Sequence, residues 1–178
     1  MSNGLMHYLR EAWKKPDTVT LRNRMTLWRR AGAIEKMERP LRLDRAKAVG
    51  YSAKPGFTVL RVRLMRGGRR RPVLNVGRRS KRKTNRLVLK MSYQVVAEQR
   101  AAAKYPNMEV LNSYWVGKDG QYYYYEVIMV DPRHPQILAD RKMKWITSGK
   151  NKGRAFRGLT SAGKKSRGLR VHGRNEQF

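Results

Sequence analysis

Charge is distributed very unevenly along this chain, and its distribution limits which segments can build a core. Of the 178 residues, 42 are Lys or Arg and 12 are Asp or Glu, a formal net charge of +30. Residues 45–90 hold sixteen basic residues and no acid, whereas residues 91–140 hold four basic and six acidic residues. Because like charges oppose compaction, we expect much of the core to lie in 91–140. That segment also holds eight of the sixteen aromatic residues.

The net charge and the composition also limit which kinds of function this protein can have. A chain this basic is drawn to polyanions, so a polyanionic partner is the first expectation. There is no cysteine, and three scattered histidines cannot form a metal cage. No nucleophile elbow, convergent carboxylate pair or nucleotide-binding glycine loop is present, so we expect no enzyme, no cofactor and no small-molecule substrate. No apolar run approaches the roughly 18 residues of a membrane span, which predicts a cytoplasmic protein without membrane contact.

Two amphipathic helices are predicted near the N terminus, separated by Pro16. Asp17 is placed to cap the second helix. Apolar residues recur at helical spacing in the two helices: Leu5, Leu9 and Trp13, then Leu21, Met25 and Trp28. The basic residues of the second helix fall mostly off its stripe: Arg22, Arg24, Arg29 and Arg30. Acidic partners four residues away are scarce, so these side chains suit either a solvated surface or one that faces phosphate.

A strand and a basic loop are predicted next. Residues 57–65 alternate, which predicts a half-buried strand with one basic face. Its two sides are Leu60, Val62 and Leu64 against Val59, Arg61 and Arg63. Residues 66–86 contain no acidic residue, and they show neither the helical nor the strand period. We interpret them as a functional loop, ordered only against a phosphate-bearing partner, with a disordered linker as the alternative.

The near-neutral segment, residues 91–140, is predicted to form a helix followed by a hairpin. Residues 92–105 predict the helix, and residues 108–116 and 121–130 predict the strands. If Asp119-Gly120 form a two-residue turn at positive φ, Trp115 lies opposite Tyr124 and Tyr114 opposite Tyr125. We interpret these aromatic residues as core, with a base-stacking platform as the alternative. A short helix at 135–139 is expected to place three further side chains against the sheet: Ile137, Leu138 and Trp145.

Beyond Ser148 the sequence shows no apolar periodicity. Glycines recur every five residues at 153, 158, 163, 168 and 173, interleaved with Lys and Arg. Arg grips phosphate bidentately and stacks on bases, which favours a nucleic-acid-binding tail over a solubilising one. Because few apolar groups are available to dock this tail, we expect its removal after about Ser148 to cost little core burial.

Several blocks of sequence together resemble a known family, the "fifteen-e" ribosomal proteins of the archaeal and eukaryotic large subunit. The blocks are Gly50-Tyr51-Ser52-Ala53-Lys54, Arg66-Gly67-Gly68-Arg69-Arg70-Arg71-Pro72, Lys104-Tyr105-Pro106-Asn107, Val110-Leu111-Asn112-Ser113-Tyr114-Trp115-Val116-Gly117, Tyr125-Glu126-Val127-Ile128, Val130-Asp131-Pro132 and Arg157-Gly158-Leu159-Thr160-Ser161-Ala162-Gly163-Lys164-Lys165. The resemblance implies an archaeal-type structural component of the ribosome. It also implies an α+β core, a small antiparallel sheet flanked by helices, with extensions threaded into ribosomal RNA and no catalytic residue.

These observations predict a domain organisation and a binding surface. We expect a basic helical extension at 1–50, an α+β core at 51–147 with the inserted loop 66–86, and a Gly/Arg/Lys-rich RNA-binding tail at 148–178. The expected partners are large-subunit ribosomal RNA and neighbouring ribosomal proteins. The predicted RNA-binding residues are Arg22, Arg24, Arg29, Arg30, Arg61, Arg63, Arg66, Arg69, Arg70, Arg71, Arg78, Arg79, Lys81, Arg82, Lys83, Arg154, Arg157, Lys164, Lys165 and Arg167. A DNA-compacting chromatin protein is the competing class, and an RNA-modification factor is a third.

Overall fold

The computed structural model describes residues 4–68, 77, 89 and 91–170, and these residues form an α+β fold. The strands are Ile34–Met37 (β1), Phe57–Met65 (β2), Glu109–Lys118 (β3) and Tyr122–Val130 (β4). The helices are Leu5–Ala12 (α1), Thr18–Arg30 (α2), Leu43–Ala48 (α3), Tyr93–Lys104 (α4), Pro135–Ala139 (α5) and Ser161–Ser166 (α6). Two 3₁₀ turns follow α5, at Lys144–Thr147 and Gly149–Asn151.

The four strands form one antiparallel sheet in the order β1-β2-β4-β3. The prediction that residues 57–65, 108–116 and 121–130 share a sheet is therefore confirmed. β4 is a central strand, and its residues Tyr124 to Val130 are all buried. A strand covered on both faces needs a continuous apolar run rather than alternation, which accounts for the sequence of β4.

One face of the sheet is covered by α4, as predicted from residues 92–105. Leu60, Val62 and Leu64 of β2 pack there with Ala97 and Ala101 of α4, all at most 2% exposed. The two alanines let the helix lie close to the sheet. Ser92 caps α4, its hydroxyl accepting from the backbone N–H of Val95 at 3.5 Å.

The opposite face of the sheet is covered by α2 and α5. Met25 and Trp28 of α2 pack with Tyr124 and Ile128 of β4, and Ile137 of α5 completes this cluster. The apolar stripe predicted for the second helix is confirmed. The prediction that β2 is only half-buried is wrong, because α2 packs over the face that carries Arg61 and leaves that residue 9% exposed.

Asp17 caps α2 as the sequence predicts. Its carboxylate accepts from the backbone N–H groups of Val19 at 3.2 Å and Thr20 at 2.9 Å. Beyond α2, the N-terminal segment also supplies edge strand β1, which pairs Ile34 with Val62 of β2. This strand was not anticipated, since four residues are too few to show a period.

The β3–β4 hairpin differs from the predicted register. Tyr114 pairs with Glu126 and Trp115 with Tyr125, and the register shifts between Trp115 and Gly117, so the predicted pairs are wrong by one residue. The turn also differs, because Gly120 does not adopt positive φ. Asp119 organises it instead, since its Oδ1 accepts from the N–H groups of Gln121 at 2.8 Å and Tyr122 at 2.6 Å.

Most of the hairpin aromatic residues belong to the core. Tyr114, Tyr124 and Tyr125 are at most 9% exposed, which confirms the core interpretation for them, whereas Trp115 is 44% exposed. In α5, Ile137 is buried as predicted. Leu138 is 48% exposed, so its predicted position against the sheet is wrong; only one side of a five-residue helix can face the core.

The expectation that residues beyond Ser148 do not dock on the core is wrong for residues 149–170. Ala155 is 1% exposed and Ala162 is 6% exposed. The hydroxyl of Thr160 donates to Oε2 of the buried Glu98 at 2.5 Å. Small residues and polar side chains attach this segment to the core. Neither kind of residue produces a periodic apolar pattern in the sequence, so the contact could not be predicted. The proposed boundary at 148 stays a prediction.

Two of the regularly spaced glycines explain how this segment folds. A Cβ built on Gly163 of α6 would lie 2.6 Å from the Cα of Gly158, and Gly158 itself has φ +65°. Two backbone segments therefore cross at a distance that only glycine permits. Most of the predicted basic loop, and the last eight residues of the predicted tail, lie outside the described residues.

Candidate nucleic-acid interface

The basic side chains of α2 point away from the core. Because Met25 and Trp28 turn one face of the helix inward, the other face is left to solvent. All four predicted arginines on it are exposed: Arg22, Arg24, Arg29 and Arg30. Within the described part of the chain, only Arg29 among the four approaches a carboxylate, with its Nη1 3.6 Å from Oδ2 of Asp119.

A short ladder of hydrogen bonds aligns part of this arginine surface. The hydroxyl of Thr26 donates to the carbonyl of Arg22 at 3.1 Å, and Nη2 of Arg29 donates to the same hydroxyl at 3.1 Å. Arg22 and Arg29 line one shallow groove beside Lys118. Arg24 lines a different one, beside Trp13. The helix thus presents cations on two flanks.

Two of the predicted RNA-binding arginines make contacts within the protein. Arg61 forms an ion pair with Glu35, and its guanidinium lies 4.8 Å from the centroid of the Trp28 ring. Arg63 donates to the carbonyls of Trp28, at 3.4 Å, and Arg29. These carbonyls end α2, where a cation is favourable. Both side chains therefore fix α2 to the sheet, and a phosphate contact by either stays a prediction.

Arg66 begins the predicted basic loop and holds its start against the hairpin turn. Its Nη1 donates to the carbonyls of Asp119 at 2.6 Å and Gly120 at 3.3 Å, and its guanidinium lies 5.2 Å from the Tyr123 ring centroid. The other predicted residues of this loop lie outside the described residues: Arg69, Arg70, Arg71, Arg78, Arg79, Lys81, Arg82 and Lys83.

The C-terminal segment contains one structural arginine. Arg154 is 8% exposed, and its Nη1 donates to the carbonyls of Val110 at 2.8 Å and Leu111 at 2.9 Å. These carbonyls belong to β3, an edge strand of the sheet. The side chain therefore occupies hydrogen-bonding groups that an edge strand otherwise leaves open, and it anchors the segment to the sheet.

The remaining cations of this segment are exposed. Arg157 donates to the carbonyls of Lys150 and Lys152, the latter at 3.1 Å, which holds three basic residues in one cluster. Lys164 and Lys165 lie exposed on α6. The exposed Arg167 is placed by a weak contact, 3.5 Å, from Nη1 to the carbonyl of Gly158. The docked segment thus presents a folded basic surface.

Two glutamates are buried beneath these surfaces, and the sequence patterns predicted neither. Glu98 accepts from the hydroxyls of Ser113 and Thr160. Glu126 accepts from the hydroxyl of Tyr114 and from the N–H of Leu41, at 3.1 Å. Burial raises the pKa of both glutamates, and the hydrogen bonds they accept oppose that rise.

A signal for Glu98 was present in the sequence. It stands at helical spacing between Val95 and Ala101, on the stripe of α4 that faces the sheet. A charged residue on such a stripe requires partners, because an unpaired buried carboxylate is costly. Its partner Thr160 is 62 residues away, too far for any local pattern to indicate.

The arrangement favours binding of an extended anion rather than catalysis at a cleft. Glu98 and Glu126 are buried and hydrogen-bonded, so they do not repel phosphate at the surface, whereas exposed cations cover α2 and the C-terminal segment. In the part of the chain that the structure describes, no three His, Asp or Glu side chains converge as metal ligands. None of its helices is long and apolar enough to cross a membrane.

Comparison with known proteins agrees with this architecture. The family model described as Ribosomal L15 matches residues 4–178. Two similar relatives are each named large ribosomal subunit protein eL15. The one from Methanospirillum hungatei JF-1 is 49% identical, covering 99% of this chain and 93% of the relative. The one from Picrophilus torridus is 51% identical, covering 93% and 87%. With its α+β core and basic surfaces, this chain belongs to the eL15 family of ribosomal proteins.

Proposed function

We propose that this protein is a structural constituent of the large ribosomal subunit that stabilises folded ribosomal RNA through phosphate contacts. The observation that carries the proposal is the separation of charge in the structure. Glu98 and Glu126 are held inside by hydrogen bonds, while Arg22, Arg24 and Arg30 face outward without carboxylate partners in the described part of the chain.

The curated relatives support this assignment, since both are named as large-subunit proteins. The proposed location is accordingly the ribosome, in the cytoplasm, with ribosomal RNA and neighbouring ribosomal proteins as partners. A chromatin protein that compacts DNA is not favoured by these relatives. Catalysis and a small-molecule substrate have no support from the relatives' names or from the described side chains.

The mechanism is electrostatic and depends on a rigid helix. Asp17 caps α2, Met25 and Trp28 pack it on the sheet, and Arg63 hydrogen-bonds its last turn, so the backbone that carries the arginines is fixed before RNA binds. Each cation that meets a phosphate releases a condensed counterion, which is entropically favourable. If on the order of ten phosphates are neutralised, the slope of log K against log salt is about −7 to −9. Such binding reads the shape and backbone of folded RNA.

The contribution of α2 is tested by removing its three carboxylate-free arginines, with a matched control. The test variant carries glutamine in place of Arg22, Arg24 and Arg30. The control variant carries glutamine in place of Lys36, Arg100 and Arg133, exposed residues outside the proposed surface. Both lose three charges, so a difference between them reports position rather than net charge.

We expect the α2 variant to bind ribosomal RNA with a salt slope shallower by about two to three units, and the control to change less. The α2 variant is also expected to leave large subunits when these are sedimented in high salt. Equal slopes for the two variants would contradict an α2 interface. Retention on DNA, with no stoichiometric sedimentation with large subunits, would favour the chromatin function instead.

A further inference from the structure

An open groove lies between the α3–β2 connection and the chain that follows α5. Its cavity volume is about 1080 Å³. The floor is largely apolar, formed by Tyr51, Phe57, Leu111 and Met143, and Trp145 stands at one side. A pocket of this size with an aromatic wall accommodates a planar ring system of nucleotide size.

The Trp145 ring rests on a cation and is partly exposed. The guanidinium of Arg154 lies 4.8 Å from its ring centroid, and Arg154 is itself fixed by the carbonyls of Val110 and Leu111. Trp145 nevertheless remains 43% exposed. Trp145 also lines the groove. A rigid ring backed in this way is well suited to stacking.

The charge around the groove matches a phosphate-bearing ligand. Lys54, Arg141 and Lys142 line it, and all three are exposed. Asp140 is a carboxylate in the lining, and it is already engaged by the Lys54 ammonium at 3.2 Å and the Lys142 N–H at 2.9 Å. The groove lining thus holds three cations and one carboxylate that is already paired. This charge favours a nucleic acid strand as the occupant over a protein segment with few acidic residues.

We propose that this groove seats an unpaired nucleotide of RNA, with its base stacked on Trp145 and its backbone phosphate beside Arg141 and Lys142. This inference rests on the proposed function and extends it, because phosphate contacts alone do not distinguish a paired strand from an unpaired one. It gives the protein a contact that selects a looped or bulged segment of folded RNA, where bases are free to leave the helix.

The test compares two probes on the full-length chain. One is a short single-stranded RNA with a central 5-iodouridine, which crosslinks to a stacked aromatic ring on irradiation. The other is a strand of the same length in which every nucleotide is abasic, so that it keeps the phosphates and lacks the bases. Affinities are measured for the unmodified chain and for three variants: Trp145→Ala, Trp145→Phe and Trp115→Ala.

We expect the crosslink in the peptide that contains Trp145. Trp145→Ala should weaken binding of the base-bearing strand by about 5- to 150-fold, the range for one base stack, with little effect on the abasic strand. Trp145→Phe retains a ring and should recover most of the affinity. Trp115→Ala removes an equally exposed indole from β3 and should change neither affinity.

Three outcomes would overturn the inference. If Trp145→Ala weakens both probes equally, the ring only supports Arg154. If it weakens neither and the crosslink maps elsewhere, the groove is not a nucleotide site. If a protein segment fills the groove in a map of the subunit, the occupant is wrong while the proposed function stands. Failure of both probes to bind the unmodified chain would overturn the inference alone, whereas failure to bind folded ribosomal RNA would overturn the proposed function as well.

Discussion

Replacing Thr160 by valine tests how firmly the C-terminal segment belongs to the fold. Valine keeps the shape of the side chain and removes the hydroxyl, which makes two contacts. It donates to Oε2 of Glu98 at 2.5 Å, and it accepts from the backbone N–H of Gly163 at 3.1 Å as the cap of α6. Thr160 and Glu98 are both 0% exposed, so water does not replace the lost donor.

The magnitude follows from the two contacts. A hydrogen bond to a charged group contributes about 1.5–3 kcal/mol, and loss of a helix cap costs about 1 kcal/mol. We therefore expect the free energy of unfolding to fall by about 2–4 kcal/mol. In a domain of this size that corresponds to a decrease in Tm of about 4–16 °C. Thr160→Ser keeps the hydroxyl and serves as the matched control, with a cost below about 1.5 kcal/mol.

The cost should also depend on pH, because the lost hydroxyl favours the charged form of Glu98. Burial holds the folded-state pKa of Glu98 above 4.5, so the folded state binds this proton more tightly than the unfolded state. Stability from Glu98 therefore declines as pH rises from 4.5 through the raised folded-state pKa. Removal of the hydroxyl raises that pKa further, so the cost of Thr160→Val should grow as pH rises above the folded-state pKa of Glu98 in the unmodified chain.

The assay is urea unfolding followed by circular dichroism, at two or more pH values and at fixed moderate salt that screens the +30 charge. Equal urea midpoints for Thr160→Val, Thr160→Ser and the unmodified chain would contradict a stabilising role for the Thr160 hydroxyl. A cost of Thr160→Val that does not change as pH is raised from 4.5 would contradict the proposed coupling to Glu98.

Three further predictions concern stability. Gly163→Ala should cost about 1–3 kcal/mol, since its Cβ meets backbone at 2.6 Å, while Gly149→Ala, with open space around it, should stay within about 0.5 kcal/mol; thermal unfolding compares them. For Asp119, burial opposes ionisation, but hydrogen bonds from Tyr122, Tyr124 and Gln121 lower its pKa on balance. Its stabilisation should be complete above pH 3.8 and lost as pH falls through the lowered value, and Asp119→Ala should reduce that loss in acid titration. Truncation after Ser148 should lower Tm by well over a few degrees, because Arg154 and Thr160 are removed together; an unchanged melting transition would show that the segment is not part of the core.

The elements that local patterns describe were predictable from the sequence. Alternation at residues 57–65 predicted β2, and the stripe with Met25 and Trp28 predicted α2 and its buried face. These patterns are visible because a strand repeats every two residues and a helix every 3.6. The family was likewise evident, because whole blocks of residues carry the resemblance.

Tertiary structure decided the roles of individual polar residues. Nothing in the local sequence distinguishes Arg61 and Arg154 from the exposed Arg22, yet both are buried. One pairs with Glu35 and the other with carbonyls of β3, 44 residues away for Val110. Whether a basic side chain is exposed or buried depends on which elements pack over it. The spacing of residues in the sequence does not indicate neighbours that only folding brings close.

The C-terminal segment shows the same division most clearly. Its glycines and arginines indicated an RNA-binding tail, and composition correctly showed a basic segment with little apolar surface. Its attachment depends instead on the contact of Thr160 with Glu98 and on the crossing of Gly158 and Gly163. Hydrogen bonds and close backbone approach bury little area and repeat with no period. Only the assembled fold, which brings residues 62 positions apart into contact, reveals them.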